Sequence, residues 1–306
     1  MRSVVPVLTV VGAILLFWAL CVIPMNAHLT ADQAQRDGMM LQPETPAARQ
    51  ELVGLSLALK NPAIIPLTFV QERPRLPSPH QVGVELWDTV VMKKPTSKRS
   101  LIYHGWVTLS ATLLGFVIGT TLGIILAVGI VFSRTMDKSV MPWAITSQTI
   151  PILALAPMII VMLGAIGIQG LLPKSVISAY LSFFPVVVGM VKGLRSPDAM
   201  QMDLLRTYSA SPNQGFWKLR LPASVPYLFA SLKIGISAAL VGAIVGELPT
   251  GARAGFGARM LVGDQYGQPL VTWAALFAAA ITAALLIVIV NVIERGTLRH
   301  MGMKPA

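Results

Sequence analysis

The 306-residue sequence predicts an all-α, polytopic membrane protein with six transmembrane helices. Three observations predict it. Hydrophobic residues make up 54% of the chain and Asp, Glu, Lys and Arg only 12%, about half of the roughly 25% charge of soluble domains. With a mean hydropathy of +0.69, this excludes a soluble enzyme or a disordered chain. The apolar residues gather in six stretches of about 20 residues, near 4–24, 105–132, 142–166, 175–192, 224–246 and 271–293, each able to cross a ~30 Å hydrocarbon core. The basic residues, 24 against 13 acidic, fall unevenly between the intervening segments.

The first stretch reads as a retained helix, residues 1–25, because its apolar run is longer than that of a signal peptide and Met25-Asn26-Ala27 is the nearest approach to a cleavage site. The one cysteine, Cys21, follows Leu20 where a lipoprotein signal needs a small residue, so it reads as a buried thiol. Residues 26–103 form an outer segment with two amphipathic helices. Thr45-Pro46 opens one that Asn61-Pro62 closes, with Ala48, Leu52, Leu55 and Leu59 on one face. Ser78-Pro79-His80-Gln81 is a capping box opening the other, with Val82, Leu86 and Val90 in a stripe. Both suit packing on the bundle or on the membrane surface. Residues 104–306 carry the other five spans.

With the N-terminus inside, the inner segments hold Arg2, Arg134, Lys138, Lys192, Arg195, Arg206, Lys218, Arg220, Arg295, Arg299 and Lys304, and the short outer loops hold only Lys174, Arg253 and Arg259. Eleven against three places both termini inside. The net charge of +11 is thus an orientation signal, and no dense basic patch points to nucleic acid.

Within the spans, Gly115, Gly119 and Gly123 repeat at four-residue spacing, as do Gly242 and Gly246, which lets helix backbones approach closely. Pro151 and Pro157 are expected to kink or break the third span, either as a plain kink or as a broken helix lining a pathway. Thr146, Ser147, Gln148 and Thr149 form a polar cluster where that span begins. Lys233, inside the fifth span, reads as snorkelling towards the inner interface. Glu247, at the outer end of the same span, either lines an outer gate or pairs with Arg253 or Arg259. No catalytic constellation and no metal-ligand set emerges.

The longest inner loop, 193–223, carries most information. Ser196-Pro197 opens a helix in which Met200, Leu204, Leu205 and Tyr208 share a face while Asp203 and Arg206 point elsewhere. Ser211-Pro212 opens a second, running through Phe216 and Trp217 to Leu221-Pro222. Such a helix-turn-helix suits docking into a partner's groove as well as packing on its own bundle.

The loop resembles the EAA loop of ABC importer permeases, E-A-A-x3-G-x9-I-x-L-P. Asp203-Leu204-Leu205 stands at the EAA positions, Ser209 at the glycine, Leu219 at the isoleucine, and Leu221-Pro222 at the end. Serine disfavours φ > 0, so the turn is expected to depart slightly from the family's form. Leu76-Pro77-Ser78-Pro79 resembles the entry of the nitrate/sulfonate/taurine-type permeases. His104, Thr108, Leu109, Gly115 and Phe116 follow that subfamily's H-x3-S-L-x-R-x3-G-F, with Ala111 where arginine is usual. Pro151, Leu155, Pro157 and Gly164 resemble its third-span signature, Gly193-Leu194-Arg195-Ser196 its lead into the coupling loop, and Glu247 its acidic residue closing the fifth span. The resemblance covers roughly 76–300, and 26–75 looks like an added outer insertion.

It implies the type I ABC importer permease fold in a bacterial inner membrane, with 193–223 as the coupling loop. It also implies cytoplasmic ATPase subunits as partners, a periplasmic solute-binding protein, and a second copy of the chain. The sequence has no G-x4-G-K-[ST], so ATP is expected to act on the partner and no cofactor on this chain. Thr146, Gln148, Pro151, Pro157 and Glu247 are the candidates for pathway or gate. An ion-gradient-driven secondary transporter is the alternative; it calls for carboxylates deep in the spans and inverted repeats, and neither is evident.

Overall fold

A computed structural model describes residues 4–248 and 252–303, so Arg2 and Lys304 of the orientation argument lie outside the described residues. Every regular element among them is helical. In order these are α1 (Val4–Arg36), short α2 (Pro46–Gln50), α3 (Gly54–Lys60) and α4 (Ile65–Thr68), α5 (Pro79–Trp87), α6 (Leu101–Phe132), α7 (Arg134–Ser147), α8 (Ile152–Ala165), α9 (Leu171–Leu194), α10 (Ala199–Thr207), α11 (Pro212–Gly215), α12 (Leu221–Val245), α13 (Phe256–Gln265) and α14 (Pro269–His300).

Five are long and apolar enough to cross a membrane: α1, α6, α9, α12 with the turns leading into it, and α14. The third span is broken, as its prolines lead one to expect: it is a pair, α7 and α8, bent by 98° at 148–151, and gives a sixth crossing only if the pair counts as one. Pro151 is the cause: it lacks an N–H and sits in extended conformation (φ −61°, ψ 117°) as the cap of α8. Pro157 breaks nothing, for α8 runs through it.

The chain divides into two compact units. The first comprises 1–102 and 259–278, so the last outer loop and the start of α14 group with the N-terminal segment and not with the rest of 104–306. Here α1 continues past Pro24 for twelve residues beyond the expected boundary at 24. Ala27, Ala31 and Ala34 on this extension are buried against Leu41, Leu57, Ala58 and Ile64. Asn26 clasps the far end of the insertion: its Nδ2 donates to Thr68 O (3.1 Å) and Leu76 O (2.9 Å), and its Oδ1 accepts from Leu76 N (3.1 Å). The expected helix over 45–61 is two pieces, α2 and α3. α3 begins where Gly54 meets the Pro24 carbonyl so closely that a Cβ would collide with it. The break shifts the register, burying Leu57 and Ala58 and exposing Leu55 and Leu59. Cys21 is half-buried.

The second unit, 103–258 with 279–306, is organised around α9. The glycines of α6 pack on it where a Cβ would come within 2.6 Å of Ser175 O at Gly115, 2.8 Å of Ala179 O at Gly119, and 2.9 Å of the Val186 Cβ at Gly123. On its other side α12 brings Gly242 against the Ser178 Cα (2.7 Å for an added Cβ). Ser178 thus lies between two helices and donates to Ala239 O at 2.7 Å. Glycine against serine is the small-residue packing the four-residue spacing predicts. Lower in the bundle, Ala127, Ile130, Ala144, Val187, Met190 and Leu194 form the principal apolar core.

Two interior charges meet. Lys233 on α12 does not run to the interface alone but bonds Glu294 at 2.6 Å. α14 extends to His300, which brings Glu294 inside the helix.

Candidate functional site

The loop 195–220 is a helix-turn-helix, with its first helix starting two residues later than Ser196-Pro197 suggests. Ser196 spends its hydroxyl on Gly193 O (2.7 Å), and Asp198 caps α10 in extended conformation, its N–H donating to the Gln201 side chain (3.2 Å). At the other end the N–H of Ser209 reaches Arg206 O and that of Ala210 reaches Leu205 O, both at 2.9 Å. That pair of bonds is a Schellman turn, which requires a left-handed residue at its centre. Ser209 supplies it with φ 51°, the one non-glycine residue at positive φ among those described. The expected departure of the turn is corrected: serine takes the glycine conformation because two backbone bonds hold it there.

Ser211 caps α11 through a capping box with Gln214 (2.9 and 3.3 Å). The second helix does not end at Leu221-Pro222. It passes through a π turn, Phe216–Arg220, directly into α12. Pro222 has no N–H, and the wider turn puts the Leu221 N–H on Phe216 O, ahead of the proline.

Met200 (83% exposed), Leu204 (57%) and Tyr208 (77%) run along one side of α10 at four-residue spacing. Leu205 leaves this stripe and turns towards Gly215. Asp203 and Arg206 bond each other at 3.1 Å in full view of solvent. Leu219, Leu221 and Pro222 are half-buried, and Phe216 anchors the loop edge-on to Phe132 at 5.4 Å.

At the break between α7 and α8, Thr146 is exposed and its hydroxyl returns to Pro142 O (2.9 Å). Gln148 is half-buried, with Nε2 buried and without an acceptor. Tyr180 on α9 donates to Ser147 O. Pro151 and Pro157 are exposed.

Glu247, two residues past α12, is fully buried. Thr108 on α6 lies 3.0 and 2.9 Å from its two carboxylate oxygens, and Gly257 N donates to Oε2 (3.0 Å). Lys174, in the first turn of α9, stands 3.6 Å from Oε1 and donates to Ala254 O (3.1 Å). This corrects the expected pairing with Arg253 or Arg259. The turn 254–257 wraps the carboxylate: Phe256 N donates to Thr108 (2.9 Å) and Gly255 N to Nδ1 of His104 (3.0 Å). Gly255, at φ 124°, has no room for a Cβ beside the carboxylate. Burial raises the Glu247 carboxyl to about 7, against the opposing pull of Lys174, Gly257 and Thr108. Beside it opens a cavity of about 1000 Å³ lined by Tyr103, Trp106, Ser110, Gln169, Lys174 and Arg253. None of Thr146, Gln148 and Pro151 is among Glu247's partners. Gly255 and Gly257 went unread in the sequence, although a G-x-G eight residues after an interior acid was the available signal.

Residues 119–301 match the family described as binding-protein-dependent transport system inner membrane component. The chain belongs to that family. This permease is similar to a probable ABC transporter permease protein of Haemophilus influenzae, 34% identical over 200 residues that cover 65% of this chain and 76% of that one. It is also similar to a formylaminopyrimidine transport permease protein of Halalkalibacterium halodurans, 32% identical over 183 residues, 60% and 68% of the two chains. In fold it resembles the inward-facing MetNI methionine ABC transporter, with a TM-score of 0.56 at 20% identity over 64% of this chain and 95% of that one. It is therefore a multi-pass inner-membrane permease of the ABC importer type, a class that works with an ATPase and a solute-binding protein.

Proposed function

We propose that this permease forms the solute pathway and is driven through α10. The observation that carries the reading is the exposed apolar stripe Met200, Leu204, Tyr208 on a helix pinned by capping at one end and a Schellman turn at the other. A rigid helix with an unpartnered apolar side is suited to a groove on a second chain. Asp203, Arg206 and Ser209 lie beside that stripe, while Leu205, Leu219, Leu221 and Pro222 join the helix-turn-helix to α12. Closure of two ATPases on ATP would push α10 and, through the continuous α11–α12 helix, tilt the fifth span. ATP then belongs to the partner and no cofactor to this chain.

In this reading both termini and the coupling loop 193–223 are cytoplasmic, and α7 with α8 makes one broken crossing. Residues 1–25 begin as a transmembrane anchor, 26–103 are periplasmic, and 104–306 form the permease core. Two copies make the pathway. A periplasmic binding protein delivers a small polar solute, of the nitrate, sulfonate, taurine or pyrimidine-precursor kind, near the Glu247 turn. Thr146, Gln148, Pro151 and Pro157 line or bend the path, and the unsatisfied Gln148 Nε2 supports a polar contact there.

Co-purification with the neighbouring ATPase, and uptake by vesicles depleted of ATP, test the reading. Association with the ATPase and loss of uptake are expected. Uptake that survives ATP depletion but collapses with the ion gradient would establish the secondary-transporter alternative, for which Lys233–Glu294 would be the intramembrane pair.

A further inference from the structure

The helix ahead of α6 carries a side that the described residues leave bare. α5 continues as a π turn through Met92, so one helical stretch covers 79–92. Its packed side is set by Val82 and Thr89, both buried, and Thr89 returns its hydroxyl to Glu85 O (2.6 Å). The other side bears Val84, Trp87 and Val91 at helical spacing, 54%, 61% and 52% exposed, followed by Met92. Lys93, Lys94, Lys98 and Arg99 come next, and then Leu101 opens α6.

The charges here do not cancel. Asp88 takes Lys93 at 3.1 Å. Glu85 faces Arg259, while Lys94 and Arg99 are exposed. Arg99 lies close enough to Arg259 to repel it, and Arg259 Nε is buried without an acceptor. Arg99 and Arg259 with its unmet donor, and Lys94 five residues ahead of Arg99, leave this end of the helix with an excess of positive charge over Glu85 that can meet an anion.

Location says which anion. α6 crosses the membrane, and the eight residues between Met92 and Leu101 reach at most about 28 Å even when extended. The exposed Val84–Trp87–Val91 side thus lies within a short tether of the bilayer surface, where apolar side chains with an aromatic ring enter the headgroup–acyl boundary and basic residues meet lipid phosphates. We propose that the 79–92 helix lies in the membrane interface with Val84, Trp87 and Val91 among the acyl chains, and that Lys94, Arg99 and Arg259 bind the phosphate of an anionic phospholipid. The site needs only that α6 spans a membrane; it is independent of the coupling role of α10.

The test uses the full chain with Cys21→Ser in nanodiscs, spin-labelled through Val84→Cys, Val91→Cys or, as control, Thr96→Cys. Labels at 84 and 91 are expected to collide with oxygen more than with a soluble nickel chelate, and the label at 96 to do the reverse. Access to nickel at 84 and 91, or shielding from both probes as under a second copy or a binding protein, would overturn the interfacial helix. In a second arm, phosphatidylglycerol added to phosphatidylcholine discs is expected to raise the Tm of the unlabelled chain by several degrees, and to do so far less in K94Q/R99Q. No rise, or an equal rise in the variant, would overturn the headgroup site. An equal rise from inorganic phosphate alone would reassign it to a soluble anion.

Discussion

The Thr108 hydroxyl lies 2.9 Å from Glu247 Oε2, although the two residues are 139 positions apart. Thr108 Oγ1 also accepts from Phe256 N at 2.9 Å, so Thr108 joins α6, the end of α12 and the turn after it. Thr108→Val keeps the shape and removes the hydroxyl, leaving a buried carboxylate and a buried N–H each short of a partner. A loss of about 1–3 kcal/mol is expected, read as a lower Tm, with Thr108→Ser close to the parent.

Glu247 makes stability depend on pH in a stated direction. Its folded carboxyl, raised to about 7 from 4.5 by burial, binds its proton more tightly than the unfolded one. The contribution is complete below 4.5 and is lost as pH rises through 7. The parent protein should lose roughly 3 kcal/mol between those values from this group. Glu247→Gln should lack that slope in unfolding curves taken from pH 5 to 8. An unchanged slope would assign the titration elsewhere.

Ser209 holds a conformation that costs an L-residue about 1–2 kcal/mol. Ser209→Gly should therefore make the α10–α11 turn more resistant to proteolysis without weakening ATPase capture. Ser209→Val, β-branched at positive φ, should open the turn and lose the ATPase.

Leu204→Glu and Tyr208→Glu change only exposed surface. Helix content by circular dichroism should stay the same while ATPase pull-down falls at least tenfold. Intact pull-down would remove α10 from the docking surface.

Lys233→Met leaves Glu294 without its partner at 2.6 Å, and Glu294→Gln does the same to Lys233. Each should cost about 1–3 kcal/mol, since one half of a partly buried ion pair is left uncompensated. The double variant should recover most of the lost Tm, because the cost lies in the orphaned charge.

Parts of the candidate site are legible in the sequence alone. Ser78 with Gln81, and Ser211 with Gln214, cap their helices as their spacing says, because a cap is satisfied within four residues. The stripe Met200, Leu204, Tyr208 was legible for the same reason. Leu205 was misplaced beside it, since its partner Gly215 lies across a turn whose angle depends on Ser209. Glu247 was singled out by its position, but its partners could not be, because Lys174, Thr108 and Gly257 come from three separate elements.

The amino-acid sequence alone determined the apolar spans, the uneven distribution of basic residues and the glycine seam of α6. Composition and helical period fix these, whatever the rest of the chain does. Tertiary structure decided how far α1 runs past Pro24, since Ala27, Ala31 and Ala34 bury there against the insertion. It also decided that Lys233 meets Glu294, and that the 254–257 turn closes over Glu247. In a membrane protein apolarity places a helix in the bilayer, but it does not choose a neighbour. Hydrogen bonds and charges make that choice, and their partners lie far away in the chain.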